Sequence, residues 1–158
     1  MQRLLVAATL AGLFTALPAA AQFQKPEDAI KYRQSVMTVM ATHFGRVAAM
    51  AQGRVPFDPK AAGDNAAIAV AMSRLPFVAF GEGTDKGLPN RAKPEVWSNW
   101  DDFSKKMNDF AQKAADGAKA AQAQGSDAAM TALVDIANGC KGCHDQYREE
   151  EKKGQQSQ

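Results

Sequence analysis

The sequence predicts an all-α protein, an antiparallel four-helix bundle. Apolar residues recur at three- and four-residue steps in four separate segments, and helix-boundary residues mark the ends of each segment. Strand signals are weak, and the connections are short apart from a glycine-rich stretch over residues 81–89. Amphipathic helices joined by short connections pack antiparallel, which is the arrangement of a bundle.

The first two predicted helices both begin with proline. The first begins at Pro26 and ends near Gly53, and the second begins at the N-cap Asp58 followed by Pro59 and ends or kinks at Pro76. The stripe of the first helix contains Ile30, Arg33, Met37, Met40, Phe44 and Val47. The stripe of the second contains Ala61, Ile68, Met72 and Leu75. We expect both stripes to face the core.

The third and fourth predicted helices follow the glycine-rich stretch. The third begins at Pro94 and runs to Gly125, and the fourth begins at the N-cap Ser126. The third is predicted to bury Trp97, Trp100, Phe103, Met107, Phe110 and Ala114. The stripe of the fourth contains Met130, Leu133, Ile136, Cys140, His144 and Tyr147. No internal repeat or second domain is visible, and the polar residues 154–158 read as a frayed tail.

The N-terminus has the pattern of a secretory signal peptide. Arg3 is followed by an apolar stretch over residues 4–17 and by small residues before a cleavage site after Ala21. Removing residues 1–21 leaves a single domain over residues 22–158, which is 137 residues long. The mature chain is therefore predicted to be exported to the periplasm and soluble, because no other apolar run approaches the length of a membrane span.

The charge of the mature chain is nearly balanced. After loss of Arg3 it has 18 basic and 17 acidic residues, so that its formal net charge is +1. Such a balance gives no reason to propose nucleic acid or an anionic membrane as a partner.

A pentapeptide on the last predicted helix carries the strongest functional signal. Cys140 and Cys143 are followed by His144, in the C-x-x-C-H spacing by which a c-type haem is attached. These are the only two cysteines in the chain, and His144 is one of two histidines. Spacings of three and four residues place both thiols and the imidazole on one helical face. We therefore predict one covalent haem c, with His144 as an axial iron ligand.

Two other interpretations of the cysteines remain. The pair could be a thiol–disulfide redox centre, making the protein a haem-free thiol oxidoreductase, although no strand pattern precedes Cys140 as such a motif requires. The pair could also be half of a zinc site, for which His43 is the remaining obvious ligand besides His144. No acid–base pair accompanies the motif, so we do not predict an enzyme.

Met37 on the first helix is the candidate for a second axial ligand, on the side of the iron away from His144. No methionine or histidine follows His144, so a second ligand would have to come from upstream. Met37 could be a core residue, a non-coordinating side chain over the iron, or a sixth ligand. His43 is about 240° around the helix from Met37 and is predicted to face away.

Three polar residues are candidates for the haem edge. Arg33 lies one turn before Met37, and its guanidinium could pair with a haem propionate, although an exposed arginine is the common case. Gln34 could add a hydrogen bond. Arg148, one turn after His144, could approach the haem edge or lie in solvent.

The sequence resembles the cytochromes c′, which are class II c-type cytochromes. The resemblance extends over the mature chain and rests on residues 22–29, Tyr32-Arg33-Gln34-Ser35, His43-Phe44-Gly45-Arg46, Phe80-Gly81-x-Gly83-Thr84, Lys93-Pro94-x-x-Trp97 and Cys140-Lys141-Gly142-Cys143-His144-Asp145. It implies a periplasmic electron carrier or gas-binding protein with a five-coordinate iron ligated by His144 alone. It also implies binding of nitric oxide and carbon monoxide in preference to dioxygen.

The resemblance adds further expectations. Arg33, Gln34 and the loop residue Arg91 are expected near the haem edge, and a homodimer is expected through the first two helices. Met37 departs from the leucine or phenylalanine of close relatives and resembles the methionine ligand of the low-spin branch of the class. A six-coordinate Met/His electron carrier therefore remains the alternative, and the redox partner is not specified.

Overall fold

The computed structural model of the protein describes residues 22–124 and 126–150, without the side chains of residues 121–126. The predicted signal peptide, residues 1–21, and the polar tail, residues 154–158, lie outside the described residues.

The predicted all-α class is confirmed. Five α-helices and one 3-10 helix follow each other in the described residues: α1 Pro26–Ala51, α2 Pro59–Met72, the 3-10 helix Leu75–Ala79, α3 Glu95–Ser98, α4 Trp100–Gln124 and α5 Ser126–Tyr147. Asp58 caps α2 as predicted, because its Oδ1 accepts hydrogen bonds from the backbone N–H groups of Lys60 and Ala61 at 2.9 and 3.1 Å. The long helices α1, α2, α4 and α5 form the bundle.

Neighbouring long helices run antiparallel. His43 on α1 contacts Asn65 on α2, with 2.8 Å between Nδ1 and Oδ1. Near the start of α4, Asp102 contacts Tyr147 at the end of α5. Among the described residues no helix is long and apolar enough to cross a membrane.

The predicted third helix is broken. Asn99 has φ −124° and ψ 50°, outside the helical region, and it separates the short α3 from α4. Trp100, predicted to be buried, is 37% exposed and lies against Phe77 and Phe103, with ring centroids 5.1 and 5.7 Å away. The break at Asn99 resets the helical phase, so Trp97 and Trp100 do not share one stripe.

The predicted stripe of α2 is wrong in its orientation. Ile68 is 38% exposed, and Leu75, which lies beyond the end of α2, is 37% exposed. The inward residues of α2 are instead mostly small: Ala62 is buried, and Ala66 and Ala69 line the cavity together with Val70. The large side chain of Ile68 therefore lies on the outer face of α2.

An aromatic cluster closes one end of the bundle. It consists of Phe80, Val96, Phe103, Met107 and Tyr147, and Met37 and Cys143 pack against it. The cluster therefore combines residues from the segment after the 3-10 helix, α3, α4 and α5, and the C-x-x-C-H face of α5 packs against it through Cys143.

Candidate functional site

The C-x-x-C-H residues line a large cavity that is partly open to solvent. Its volume is about 650 Å³, and Cys140, Cys143 and His144 contribute one wall of it from the last turns of α5. All three side chains are partly buried, and both cysteines are free thiols. Helical spacing places them on one face, as the sequence predicts.

The remaining walls of the cavity are mostly apolar and come from the other long helices. Besides the motif, the lining residues include Met37, Met40, Phe44, Phe80, Phe103, Met107 and Phe110. The volume lies within the range of about 300–1,000 Å³ that cofactor and ligand sites occupy. A flat, largely apolar cofactor suits such walls.

Burial sets the protonation of the motif. It raises the pKa of the Cys140 and Cys143 thiols. It also lowers the pKa of His144, and repulsion from Arg148 and Arg91 adds to the effect. The imidazole is thus neutral at neutral pH, which is the form that coordinates a metal.

These observations fit a covalently attached haem. Two thiols and one neutral imidazole on one helical face line a mostly apolar cavity, whose other walls include the Met37 thioether and aromatic rings. A zinc site receives no comparable support, because within residues 22–124 and 126–150 no three His, Cys, Asp or Glu side chains are placed so that they could hold one metal ion together. His43 binds Asn65 and is absent from the cavity wall, as the helical phase predicts.

Arg33 is buried, contrary to the common case of an exposed arginine. Its side chain is 4% exposed and lines the cavity. The guanidinium donates hydrogen bonds to the carbonyl of Ala79 and the hydroxyl of Thr84, at 2.8 and 3.0 Å, and to the carbonyl of Thr84 at 2.8 Å. It also lies 4.6 Å from the ring centroid of Phe80 and 5.8 Å from that of Trp97. Burial lowers the pKa of Arg33 to about 10, so the side chain stays charged.

The other predicted edge residues also line the cavity. Gln34 donates to the carbonyl of Pro89 at 3.0 Å, and Arg91 donates from Nε and Nη2 to the carbonyl of Glu149 at 2.9 and 2.6 Å. Arg148 lies in an isolated antiparallel bridge with Ala92. All seven residues predicted for the site therefore line one cavity: Arg33, Gln34, Met37, Arg91, Cys140, Cys143 and His144.

Sequence reasoning did not identify the polar network around Tyr147. Tyr147 is 3% exposed, lines the cavity and donates to Oδ2 of Asp102 at 2.5 Å. Burial and this hydrogen bond raise the pKa of Tyr147 to about 12. The same hydrogen bond is the largest cause of the lowered pKa of Asp102. The partners are 45 residues apart, so no local pattern connects them.

Comparison with known proteins settles the family. A family model described as Cytochrome C′ matches residues 28–148. The chain belongs to the cytochrome c′ family.

Individual relatives agree with this membership. Cytochrome c′ of Rubrivivax gelatinosus is 53% identical over 129 residues, which are 81% of this chain and 99% of the relative. Its crystal structure has a TM-score of 0.78 at 48% identity and covers 81% of this chain and 100% of its own. A nitric oxide complex of a variant cytochrome c′ from Alcaligenes xylosoxidans has a TM-score of 0.76 at 40% identity, covering 82% of this chain and 100% of its own.

Membership of the cytochrome c′ family establishes the cofactor and the architecture. The cofactor is a covalently attached haem c, the architecture is the four-helix bundle, and the motif lies on the C-terminal helix. A cytochrome c-554 of Cereibacter sphaeroides is also similar, at 35% identity over 134 residues, which are 79% of this chain and 96% of that protein. Met37 lines the same cavity as the three motif residues.

Proposed function

We propose that this protein carries electrons and binds diatomic gases, nitric oxide among them, and that it is not an enzyme. The observation that carries the proposal is the single helical face of α5 from which Cys140, Cys143 and His144 enter an apolar cavity. The two cysteines would hold the haem through thioether bonds, and His144 would be its axial ligand. When bound, the haem supplies one-electron redox chemistry and a position at the iron for a diatomic ligand.

The residues around Met37 favour gas ligands that need no hydrogen bond. Its neighbours on the cavity wall include Met40, Ala41 and Phe44, which have no polar side-chain atoms. The hydroxyl of Thr38 is engaged, because it donates to the carbonyl of Gln34 at 2.9 Å. Bound dioxygen would therefore gain little stabilisation, whereas nitric oxide and carbon monoxide depend less on a polar partner. The nitric oxide complex of the Alcaligenes relative supports this proposal.

Arg33, Gln34 and Arg91 are proposed to face the polar edge of the haem. The Arg33 guanidinium is buried among carbonyls, a hydroxyl and aromatic rings, and its hydrogen bonds go to uncharged groups. Asp85 is the carboxylate that already acts favourably on this charge, and a haem propionate would add a second negative charge to a cation that burial penalises.

Absorption spectroscopy of the purified exported protein tests the function. A pyridine haemochrome retained after denaturation and a reduced protein that binds carbon monoxide rapidly are expected. Titratable thiols without a haemochrome would instead indicate the haem-free thiol oxidoreductase. Cys140→Ser/Cys143→Ser serves as the variant without covalent attachment.

The same spectra test Met37 as a sixth ligand. A six-coordinate Met/His iron shows a far-red charge-transfer band in the ferric state. If the wild type has such a band and Met37→Ala lacks it, the vacant gas-binding position is wrong. Carbon monoxide binding at the same rate in wild type and Met37→Ala supports the five-coordinate proposal.

Export and dimerisation complete the proposal. Residues 1–21 would direct the chain to the periplasm and be removed after Ala21. A homodimer would bury the outer apolar face of α1 and α2, where Val39 and Ile68 are 40% and 38% exposed. Sedimentation is expected to show a dimer that Ile68→Glu dissociates, while Val134→Glu on the exposed face of α5 leaves it intact. A monomeric wild type at micromolar concentration would refute the dimer.

A further inference from the structure

A short segment ties the two sides of the cavity together. We call residues 89–93 the strap. It follows the glycine-rich loop, and Asn90, Arg91 and Ala92 from it line the cavity. It reaches the C-terminal end of α5 on one side and α1 on the other.

The strap caps the helix that carries the haem motif. The last carbonyls of an α-helix have no partner within the helix, so they need donors from elsewhere. Lys93 supplies two: its Nζ donates to the carbonyl of Asp145 at 3.1 Å, and its backbone N–H donates to the carbonyl of Tyr147 at 3.0 Å. The positive charges of Lys93 and Arg91 near this end also interact favourably with the negative end of the helix dipole.

Arg91 extends the same contact beyond the helix. Its guanidinium donates to the carbonyl of Glu149, and its own carbonyl accepts from the backbone N–H of Glu149 at 2.7 Å. Ala92 and Arg148 form the antiparallel bridge between these bonds. The strap is therefore hydrogen-bonded both to the last turn of α5 and to the residues that follow it.

The opposite end of the strap is fixed on α1. Gln34 donates to the carbonyl of Pro89 at 3.0 Å. Asn90 closes the turn, because its Nδ2 donates to the carbonyls of Asp85 and Leu88 and its Oδ1 accepts from the backbone N–H of Ala92. Because the strap is hydrogen-bonded to α1 at one end and to α5 at the other, it restricts the movement of the last turn of α5 relative to α1.

We propose that Lys93 and Arg91 are positioning residues for the axial ligand of the haem. By capping the last turn of α5 they hold His144, one turn before Arg148, in a single orientation relative to the cavity. The inference rests on the proposed function, in which His144 binds the iron. Lys93 acts through the backbone of α5, and Arg91 acts through the same backbone in addition to its proposed place at the haem edge, so Lys93→Met is the variant that isolates the positioning effect.

Resonance Raman spectroscopy of the ferrous holoprotein tests the proposal, since the iron–histidine stretching band reports the orientation of the imidazole. The variants are Lys93→Met, the double variant Arg91→Met/Lys93→Met, and Lys93→Arg, which keeps a donor and the charge. Lys86→Met is the matched control, because it removes the same charge from the preceding loop, where Lys86 is highly exposed and 4.0 Å from Asp85.

We expect one narrow band in the wild type and Lys86→Met. It should shift and broaden in Lys93→Met, shift further in the double variant, and return in Lys93→Arg. An unchanged band in Lys93→Met with a lowered free energy of unfolding would show that the strap only stabilises the fold, and would overturn the proposal. If the double variant does not fold, the band of Lys93→Met alone tests the proposal. This single variant is expected to fold, because the backbone N–H of residue 93 still donates to the carbonyl of Tyr147. A wild type without any iron–histidine band would instead overturn the proposed ligation by His144.

Discussion

Arg33 is the only charged residue that is buried in the part of the chain that the structure describes, and it has a structural task besides any role toward the haem. Its hydrogen bonds cross from α1 to the 3-10 helix and the loop that follows, which are 46 and 51 residues further along the chain. The guanidinium thereby satisfies the carbonyls of Ala79 and Thr84. Ala79 is fully buried, so its carbonyl has no access to water without Arg33.

Arg33→Met is therefore expected to lower the free energy of unfolding by about 2–4 kcal/mol, since it strands buried acceptors that each cost about 1–3 kcal/mol. Urea denaturation of the holoprotein measures the change. The control is Arg46→Met on the exposed face of the same helix, where the contact with Asn65 is 3.5 Å long and a change below about 0.5 kcal/mol is expected. Equal effects of the two substitutions would contradict this role for Arg33.

Tyr147 makes stability depend on alkaline pH. Its pKa is raised to about 12 by burial and by the hydrogen bond to Asp102, against about 10 in the unfolded chain. A raised pKa stabilises the neutral phenol in the fold, so this contribution is fully present below pH about 10 and is lost as the pH rises toward about 12.

Tyr147→Phe should accordingly lose less stability than the wild type between pH 10 and about 12. Urea titrations at several pH values across this window measure it, and the difference between the two proteins removes the shared titration of lysines. Tyr32→Phe keeps Tyr147 and should follow the wild type. Parallel curves for wild type and Tyr147→Phe would show that the phenol does not titrate with unfolding.

At the scale of the elements, the starts of α1 and α2 and the inward stripes of α1, α4 and α5 were predictable from the sequence, whereas the break at Asn99 and the inward face of α2 were not. Pro26 and Asp58 fix where α1 and α2 begin through local chemistry, and the structure begins both helices there. The inward face of α2 depends on what it packs against. Its alanines face the cavity, so the position of Ile68 followed from tertiary structure and not from the periodicity of large residues.

The site shows the same division. Cys140, Cys143 and His144 were found from spacing because their chemistry requires neighbours on one helical turn. The bond from Tyr147 to Asp102 and those from Arg33 to Thr84 join residues 45 and 51 positions apart. Contacts of that kind appear only once the loops have placed the helices.

The contact between α4 and α5 depends on Gly117. A Cβ at this position would lie 2.9 Å from Cβ of Ala132 and 3.2 Å from Cδ1 of Ile136. Gly117→Ala gains about 1 kcal/mol of helix propensity. Relief of the clash with the rigid Ala132 requires the helices to move apart, at a cost of about 1–3 kcal/mol.

We therefore expect Gly117→Ala to destabilise the protein, and thermal unfolding of the holoprotein measures this. Gly45→Ala on α1 is the matched control, because no atom lies within 4 Å of its added Cβ. That substitution should be stabilising by about 0.5–1 kcal/mol. Stabilisation by both substitutions would mean that α4 and α5 separate without cost.

At the scale of the whole molecule, the bundle is built around its cofactor and not around a continuous core. The cavity of about 650 Å³ is lined by residues of all four long helices. The buried core residues outside the aromatic cluster include many alanines, such as Ala29, Ala62, Ala111 and Ala114, which bury little apolar surface. Haem attachment and folding should therefore be coupled.

Without the haem, water would enter this cavity of about 650 Å³ and the mostly apolar walls would be exposed to it, which weakens the packing of the helices. Cys140→Ala/Cys143→Ala refolded without haem should therefore lose fixed packing while keeping much of its helix. Far-UV circular dichroism near that of the holoprotein, a weak near-UV signal and binding of a hydrophobic dye are the expected signs. The same variant with haem added should recover part of its near-UV signal, because His144 and the apolar walls remain. A haem-free variant that unfolds as cooperatively as the holoprotein would mean that the helices close the cavity by packing against each other.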